Sequence, residues 1–374
     1  MKILRAFKTE LDLNNVQRTI CARHAGATRF AYNWGLARKK EAFANGQKTP
    51  TAIDLHRELN ALKKTQLSWM YEVSKCAPQE ALRDLDNAFA HFFRRLKEKK
   101  AGKHVKAGFP RFKSRRNGLG SFRLTGAIHV FEKAVQLPRL GVLCLKERGY
   151  LPLGGIHILS ATVSEKAGRW FVSVQVEMDI PDPEPTDKPA AGVDLGVNRM
   201  AQVSDGMCFE NPHALKQSMK KLKHLQRAVS RRQKGSANRQ KAVKQLAKVH
   251  FRTANIRKDA LNQATTFLTK TKSVIVLENL NVNGMLKNHH LAQAIADIGL
   301  YEFRRQLVYK GGWYGCEVLL ADRFYPSTKR CSQCGTVKSV MGLGEREYHC
   351  ECCRAVIDRD LNAAINLEQL LYSK

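Results

Sequence analysis

Four of the chain's eleven prolines fall in the nine residues from Pro181 to Pro189. Proline lacks a backbone N–H and holds φ near −65°, so such a stretch sustains neither a helix nor a central strand. It reads as a linker, and the major boundary of the 374-residue chain is expected at 181–190, with a cored half on either side.

The two halves differ in pattern. Residues 1–12 read as a strand carrying Ile3, Leu4, Phe7 and Leu11. From Val16 to about Asn45 the apolar spacing is helical, and Thr51-Ala-Ile-Asp54 has the oxygen cap and early acid of a second helix start. A third helix begins near Pro78, with Leu82, Leu85, Phe89, Phe92, Phe93 and Leu96 read as core. Residues 120–180 break into short β-rich runs. The clearest are Ile156–Val163 and Trp170–Met178, joined as a hairpin across Lys166-Ala-Gly168. A small barrel or sandwich is expected there, with the first strand joining it and the helices forming an insertion. Beyond the linker, strands at 191–203, 206–210, Ser273–Leu277 and Glu317–Leu320 alternate with helical stretches, which indicates an α/β layer with a mixed sheet.

Charge narrows the partner. Lys and Arg number 64 against 33 Asp and Glu, a net +31 with a pI near 10.0. Basic groups placed on phosphates release counterions, so a field of this size favours nucleic acid. The excess is concentrated. Arg94–Arg116 holds eleven basic residues and one acid, and ends in a basic-aromatic knot from which Arg111, Lys113, Arg115 and Arg116 are taken as contacts. Lys216–Lys258 holds fifteen basic residues and no acid in 43 positions, and Lys220, Lys223, Arg231 and Arg232 are taken from it. No run approaches the ~18 apolar residues needed to span a bilayer, and the N-terminus lacks the apolar core of a secretory signal. A reducing, cytoplasmic compartment is expected.

Three acids stand where chemistry could occur. In Gly192-Val-Asp194-Leu-Gly196, strand alternation sends Val193, Leu195 and Val197 to one face and Asp194 to the other, between glycines expected to leave open space above the sheet. In Ser273-Val-Ile-Val-Leu-Glu278 an apolar strand ends abruptly in a carboxylate. The third lies in Ile357-Asp358-Arg-Asp360-Leu-Asn362, a helix entered through acids. Spacing alone does not choose between Asp358 and Asp360; Asp358, Asn362 and Asn366 share a helical face and could be a cap with its polar stripe. Oxygen ligands from separated elements suit Mg²⁺, and two such ions ~3.5–4 Å apart would serve phosphodiester hydrolysis.

Five of the ten cysteines lie between Cys331 and Cys353. Cys331-Ser-Gln-Cys334 and Cys350-Glu-Cys352-Cys353 make two CxxC pairs separated by fifteen residues, the spacing of a four-thiolate zinc site with no open coordination position. Cys352 is out of register. The loop between is expected to lack a core of its own, zinc supplying its folding energy. The solitary Cys21, Cys76, Cys144, Cys208 and Cys316 read as buried packing residues.

Together these segments resemble the insertion-sequence TnpB (OrfB) family, relatives of the type V CRISPR effectors. The likeness rests on Gly-Val-Asp194-Leu-Gly, Val-Leu-Glu278-Asn-Leu, Tyr-Glu-Phe-Arg-Arg-Gln-Leu-Val-Tyr-Lys310, Pro326-Ser-Thr-Lys-Arg-Cys-Ser-Gln-Cys-Gly335 and Asp358-Arg-Asp360-Leu-Asn-Ala-Ala-Ile-Asn-Leu, and more loosely on Arg29-Phe-Ala-Tyr-Asn-Trp-Gly-Leu and Gly108-Phe-Pro-Arg-Phe-Lys. The resemblance implies a multidomain α/β protein. A wedge-like β-barrel would occupy 1–14 and 118–180, with a helical recognition insertion at 15–117. An RNase H-like RuvC nuclease domain would occupy 191–325 and 355–374, interrupted by a zinc ribbon at 326–354. It assigns Asp194, Glu278 and Asp360 to catalysis and Mg²⁺, and Cys331, Cys334, Cys350 and Cys353 to Zn²⁺. It implies a chain, monomeric with RNA, whose guide RNA from the transposon end directs cutting of double-stranded DNA beside a short flanking motif, favouring retention of the element. The alternatives are a nuclease-silent guided repressor and a guide-independent RuvC-like junction nuclease. Two departures stand out. Arg354 replaces the glycine common after the last zinc cysteine, so the second knuckle is expected to be strained or differently turned. Thr328 replaces a usual serine.

Overall fold

A computed structural model describes residues 1–115, 118–154, 156–183, 187–342 and 344–372. The chain divides into two compact units, Met1–Ile180 and Pro181–Lys374.

The first unit begins with β1 (Lys2–Asp12) and three helices, α1 (Asn15–Ala44), α2 (Ala52–Thr65) and α3 (Cys76–Lys100). Six strands follow: β2 (Ser121–Leu124), β3 (His129–Val130), β4 (Ala134–Leu137), β5 (Gly141–Leu145), β6 (Ile156–Lys166) and β7 (Arg169–Asp179). They form an antiparallel sheet ordered β2-β6-β7-β1-β5-β4-β3. Strand β1 pairs with β7 from Lys2↔Asp179 to Glu10↔Phe171, then passes to β5 at Leu11↔Leu145. The helices therefore leave the sheet after β1 and return to it at β2. The β6–β7 turn places Ala167 and Gly168 both at positive φ, the condition for a two-residue hairpin turn matched to strand twist. Helices α1 and α2 start at reciprocal capping boxes, Asn14 with Gln17 and Thr51 with Asp54, which satisfy N–H groups that a helix leaves open.

The sheet buries Phe122, Val163, Trp170 and Val172, whereas the helices close a separate core around Leu36, Leu55, Leu59, Leu82 and Leu85. Of the aromatic run of α3 only Phe89 packs against that core. Phe93 is exposed and Phe92 half-buried, because the helix extends past its partners; Phe89 and Phe92 also meet Phe109, at 5.4 and 5.3 Å between ring centroids. Cys21, Cys76 and Cys316 are buried, but Cys144 is exposed and Cys208 half-buried. In β5 the alternation puts Leu143 and Leu145 inside, so Cys144 points out.

The second unit contains β8 (Ala191–Asp194), β9 (Arg199–Val203), β10 (Cys208–Glu210), α4 (Ala214–Arg231), α5 (Ala237–Thr271), β11 (Val274–Leu277), α6 (Val282–Met285), α7 (Ala292–Ile298), α8 (Leu300–Tyr314), β12 (Glu317–Leu320), β13 (Glu347–His349), β14 (Val356–Asp358) and α9 (Arg359–Gln369). Its main sheet runs β10-β9-β8-β11-β12. Neighbours from β10 to β8 are antiparallel and those from β8 to β12 parallel, so the sheet is mixed. One face packs Val193, Ile275 and Leu277 against Leu261 and Leu268 of α5 and Phe303 and Leu307 of α8. Helix α9 covers the other face, with Leu367 against Val276. Among the described residues no helix is long and apolar enough to cross a membrane.

Candidate functional site

The register of two parallel strands brings the first two acids together. Val193 of β8 stands opposite Leu277 of β11, so the next residues, Asp194 and Glu278, leave neighbouring strands at the same end of the sheet. Adjacent strands lie about 4.8 Å apart, which puts two carboxylates side by side at the carboxyl edge where open α/β sheets build their sites.

Helix α9 supplies the third. Gly192 and Asp194 share the face that α9 covers. A Cβ on Gly192 would lie 1.9 Å from the Ala364 carbonyl oxygen and 2.5 Å from the Glu368 nitrogen. The space beside Asp194 that the sequence left open is therefore not free: at Gly192 the backbone of α9 fills it, because only a residue without a side chain lets a helix come so close. That packing sets the first turn of α9, with Asp360, beside Asp194.

Electrostatics register the convergence. Burial, then the charge of Glu278, then that of Asp360 push the Asp194 carboxyl well above the usual carboxylate range, against the opposing pull of Arg359 and of the Leu195 N–H. Burial raises Glu278 too, while a hydrogen bond from the Ser327 hydroxyl opposes the rise. Acids that raise one another and offer only oxygen are of the donor type that a hard divalent cation takes, although among the described residues the group whose ligand atoms all lie within 4.8 Å of one another is the cysteine quartet and not these three acids.

Asp358 and Asp360 stand in different places. Asp358 caps α9, its Oδ1 accepting from the Asp360 and Leu361 N–H groups at 3.0 Å, and its Oδ2 pairs with Arg199 at 2.9 Å. Asp360 pairs through Oδ1 with Arg359, at 3.1 and 3.0 Å, on the side of Asp194. Asn362 and Asn366, on the same stripe as Asp358, are wholly buried and bind the backbone of residues 327–332.

The four cysteines gather locally. The sulfur atoms of Cys331, Cys334, Cys350 and Cys353 all lie within 4.8 Å of one another, with 3.6 Å from Cys331 to Cys353 and 3.5 Å from Cys334 to Cys350. Sulfurs ~2.3 Å from a tetrahedral zinc ion would stand about 3.8 Å apart, so the quartet has the geometry of a four-thiolate metal site. Cys352 is exposed and outside it. The two knuckles turn alike. Gly335 donates its N–H to the Cys331 carbonyl at 2.9 Å and Arg354 donates to the Cys350 carbonyl at 3.1 Å, both at positive φ. Arg354 thus accepts the left-handed conformation rather than changing the turn. The loop does have a small core: Tyr348, fully buried, packs with Cys331, Cys350 and Ala355 while its hydroxyl donates to the Lys329 carbonyl at 3.0 Å. A polar-looking loop conceals this because a single aromatic ring supplies most of the apolar contact.

The basic residues fall outside both clusters. Arg111, Lys113 and Arg115 lie on the segment after α3; Lys113 places its amine 4.0 Å from the Tyr32 ring centroid and exchanges backbone hydrogen bonds with the Asn33 side chain. Arg116 lies outside the described residues. Lys220, Lys223 and Arg231 are exposed on α4, and Arg232, its C-cap, bonds the Asn238 carbonyl at 2.6 Å. The contacts of Ser327 were not legible in the sequence, where it is one serine in a Pro-Ser-Thr turn. The only available signal was its place four residues before the first zinc-type cysteine.

Three family models match: the IS605-type OrfB model, described as a probable transposase, over residues 171–289; a Cas12f1-like TNB domain over 301–367; and an OrfB helix-turn-helix domain over 1–48. The last segment folds here as strand β1 followed by the single long helix α1. A protein of Streptomyces pristinaespiralis named "Putative RNA-guided DNA endonuclease" is 36% identical over 98% of this chain and 89% of its own length. InsQ of Escherichia coli (strain K12), named in the same words, is 33% identical over 98% of this chain and 92% of its own. The CRISPR-associated endodeoxyribonuclease Cas12f1 of Sulfoacidibacillus thermotolerans is 23% identical over 58% of this chain and 54% of its own.

Proposed function

This chain belongs to the TnpB (IS605 OrfB) family, and from that premise we propose that it is a transposon-encoded, RNA-guided DNA endonuclease that requires Mg²⁺. The observation that carries the reading is the acid cluster. Asp194, Glu278 and Asp360 come from two parallel strand ends and a late helix, and the last two act electrostatically on the first. Such an arrangement suits cation binding and has no evident structural purpose, since like charges raise the energy of the fold.

In this reading Asp194, Glu278 and Asp360 hold the divalent ions, and Cys331, Cys334, Cys350 and Cys353 hold a structural zinc. Bound Mg²⁺ supplies Lewis acidity toward a phosphodiester and lowers the pKa of water. The chain's own part is orientation. The β8–β11 register fixes the spacing of two carboxylates, Gly192 admits α9, and Asp358 as a cap keeps the first turn of α9, and so Asp360, in place. Arg359, paired with Asp360, keeps one cationic group beside the acids.

The remaining assignments follow the family. Residues 1–14 and 118–180 form the wedge-like barrel domain, 15–117 the recognition insertion, 191–325 and 355–374 the RuvC-like nuclease domain, and 326–354 its ribbon. The basic segments, including Arg111, Lys113, Arg115, Lys220, Lys223, Arg231 and Arg232, lie along guide RNA and target DNA. One chain acts with one RNA.

The test is cleavage of linear double-stranded DNA by the protein carrying its co-purified RNA, with the target chosen by sequencing that RNA. Cutting should require Mg²⁺ and the matched target. It should vanish in Asp194→Ala while binding of the target persists. Cutting of branched DNA by RNA-free protein would favour the junction nuclease instead, and guided binding without cutting at saturating Mg²⁺ would favour the repressor.

A further inference from the structure

One short segment joins the two clusters: it ends in Cys331 of the quartet, while Ser327 at its start belongs to neither set of ligands. Ser327 is 3% exposed and lies between β12 and Cys331. Its hydroxyl donates to Oε1 of Glu278. Its carbonyl accepts from Asn366 Nδ2 at 2.8 Å, and the same amide reaches the Arg330 carbonyl at 2.6 Å. Asn362 donates to that Arg330 carbonyl at 2.7 Å and accepts from the Ser332 N–H at 2.9 Å, and Gln369 donates to the Ser332 carbonyl at 2.8 Å. Residues 327–332 are thus clamped along α9 on one side and anchored in the thiolate quartet through Cys331 on the other.

A buried serine needs only some partner, and a backbone carbonyl would satisfy it. Here its partner is instead one oxygen of the Glu278 carboxylate, whose charge acts on Asp194. Glutamate is long, and ordering such a side chain costs rotamer entropy. A donor fixed to one oxygen removes much of that freedom and leaves the other oxygen to face a cation.

We infer that Ser327 is a positioning residue for Glu278, and that zinc in the thiolate cluster holds Ser327 in place, so that the two metal centres are linked. The linkage is reciprocal in free energy: zinc occupancy raises divalent affinity at the acids, and an occupied acid cluster tightens zinc. Partners of this kind typically change metal affinity 10–100-fold. The inference rests on the reading of Glu278 as a metal ligand.

Mn²⁺ titration of the full-length protein, with free Mn²⁺ followed by electron paramagnetic resonance, tests it. The binding lost in Asp194→Asn defines the carboxylate site. Ser327→Ala should weaken that site about ten-fold with its zinc retained, and Ser327→Thr, which keeps a hydroxyl, should restore it. Chelation of zinc from the unaltered chain should weaken it as well. Wild-type affinity in Ser327→Ala, equal weakness in Ser327→Thr, or indifference to zinc removal would each overturn the inference. If Ser327→Ala loses zinc or misfolds, the threonine variant and the zinc-free wild-type chain decide. Wild-type binding in Asp194→Asn would instead sink the carboxylate reading itself.

Discussion

The acid cluster and the thiolate cluster are both sets of like charges drawn together, but different forces gather them. The four cysteines come from two knuckles of one short ribbon whose core is little more than Tyr348, Cys331, Cys350 and Ala355. So small a core offers little to offset repulsion among thiolates, and an ion held by the quartet would complete it. The three acids come from β8, the end of β11 and α9, all set in a unit with an extensive core. Packing holds them whether or not a cation is present. On the proposed reading, one centre would need metal to fold and the other would need metal to act.

The largest expected effect separates the two most sharply. Chelating zinc should unfold residues 326–354, since structural zinc contributes roughly 10–16 kcal/mol in small metal-dependent modules. Chelating Mg²⁺ alone should leave the fold intact. Hydrogen exchange checks both: protection should vanish in the ribbon in the first case and persist in β8 and β11 in the second. Loss of protection in β8 on Mg²⁺ removal would break the comparison.

Next comes Gly192→Ala. Its added methyl group would sit inside contact distance of the Ala364 carbonyl, so α9 must shift, at a cost of about 3 kcal/mol in stability. Thermal melting should show the loss. Divalent affinity at the acids should fall with it, while the zinc content of the protein stays unchanged.

A smaller effect concerns pH. A carboxyl whose folded pKa exceeds its unfolded value stabilises the fold while protonated, and that contribution is lost as pH rises through the folded value. Asp194 is such a group. In metal-free protein above the ordinary carboxylate range the cost of ionising Asp194 therefore works against the fold, and Asp194→Asn should raise the melting temperature. The gain should shrink as pH falls toward about 4, where both forms are neutral. Saturating Mg²⁺ should reverse the order of the two proteins.

The smallest effect sharpens the comparison within the ribbon. Arg354 occupies a left-handed position at φ +59°, where Gly335 of the partner knuckle sits at φ +78° without a side chain to strain. Arg354→Gly should stabilise the zinc-loaded protein by about 1 kcal/mol, read as a higher midpoint in denaturant. Equal midpoints would mean that the arginine side chain contributes as much as its backbone conformation costs.

Much of the local structure could be read directly from the chain. The capping boxes at Asn14 and Thr51 start helices where oxygen side chains precede helical spacing, and the Ala167-Gly168 turn follows from its hairpin context. The cysteine quartet follows from spacing, because a CxxC pair can close on one ion through its own short turn. Errors arose where burial was inferred from residue type alone. Phe93 and Cys144 are apolar enough for a core, yet one lies past the end of its partners and the other on an outward strand position.

Sequence by itself determined the breaks, caps, turns and metal-ligand spacing, because these depend on steric and hydrogen-bonding preferences within a few residues. It also marked Asp194 and Glu278 as acids ending apolar strands. Only the tertiary structure made Asp358 the cap of α9, turned Gly192 from an opening into a helix-packing site, and aimed Ser327 at Glu278. Each of those depends on where α9 settles against a strand remote in the chain, and that choice belongs to the packed interior as a whole rather than to any short stretch of residues.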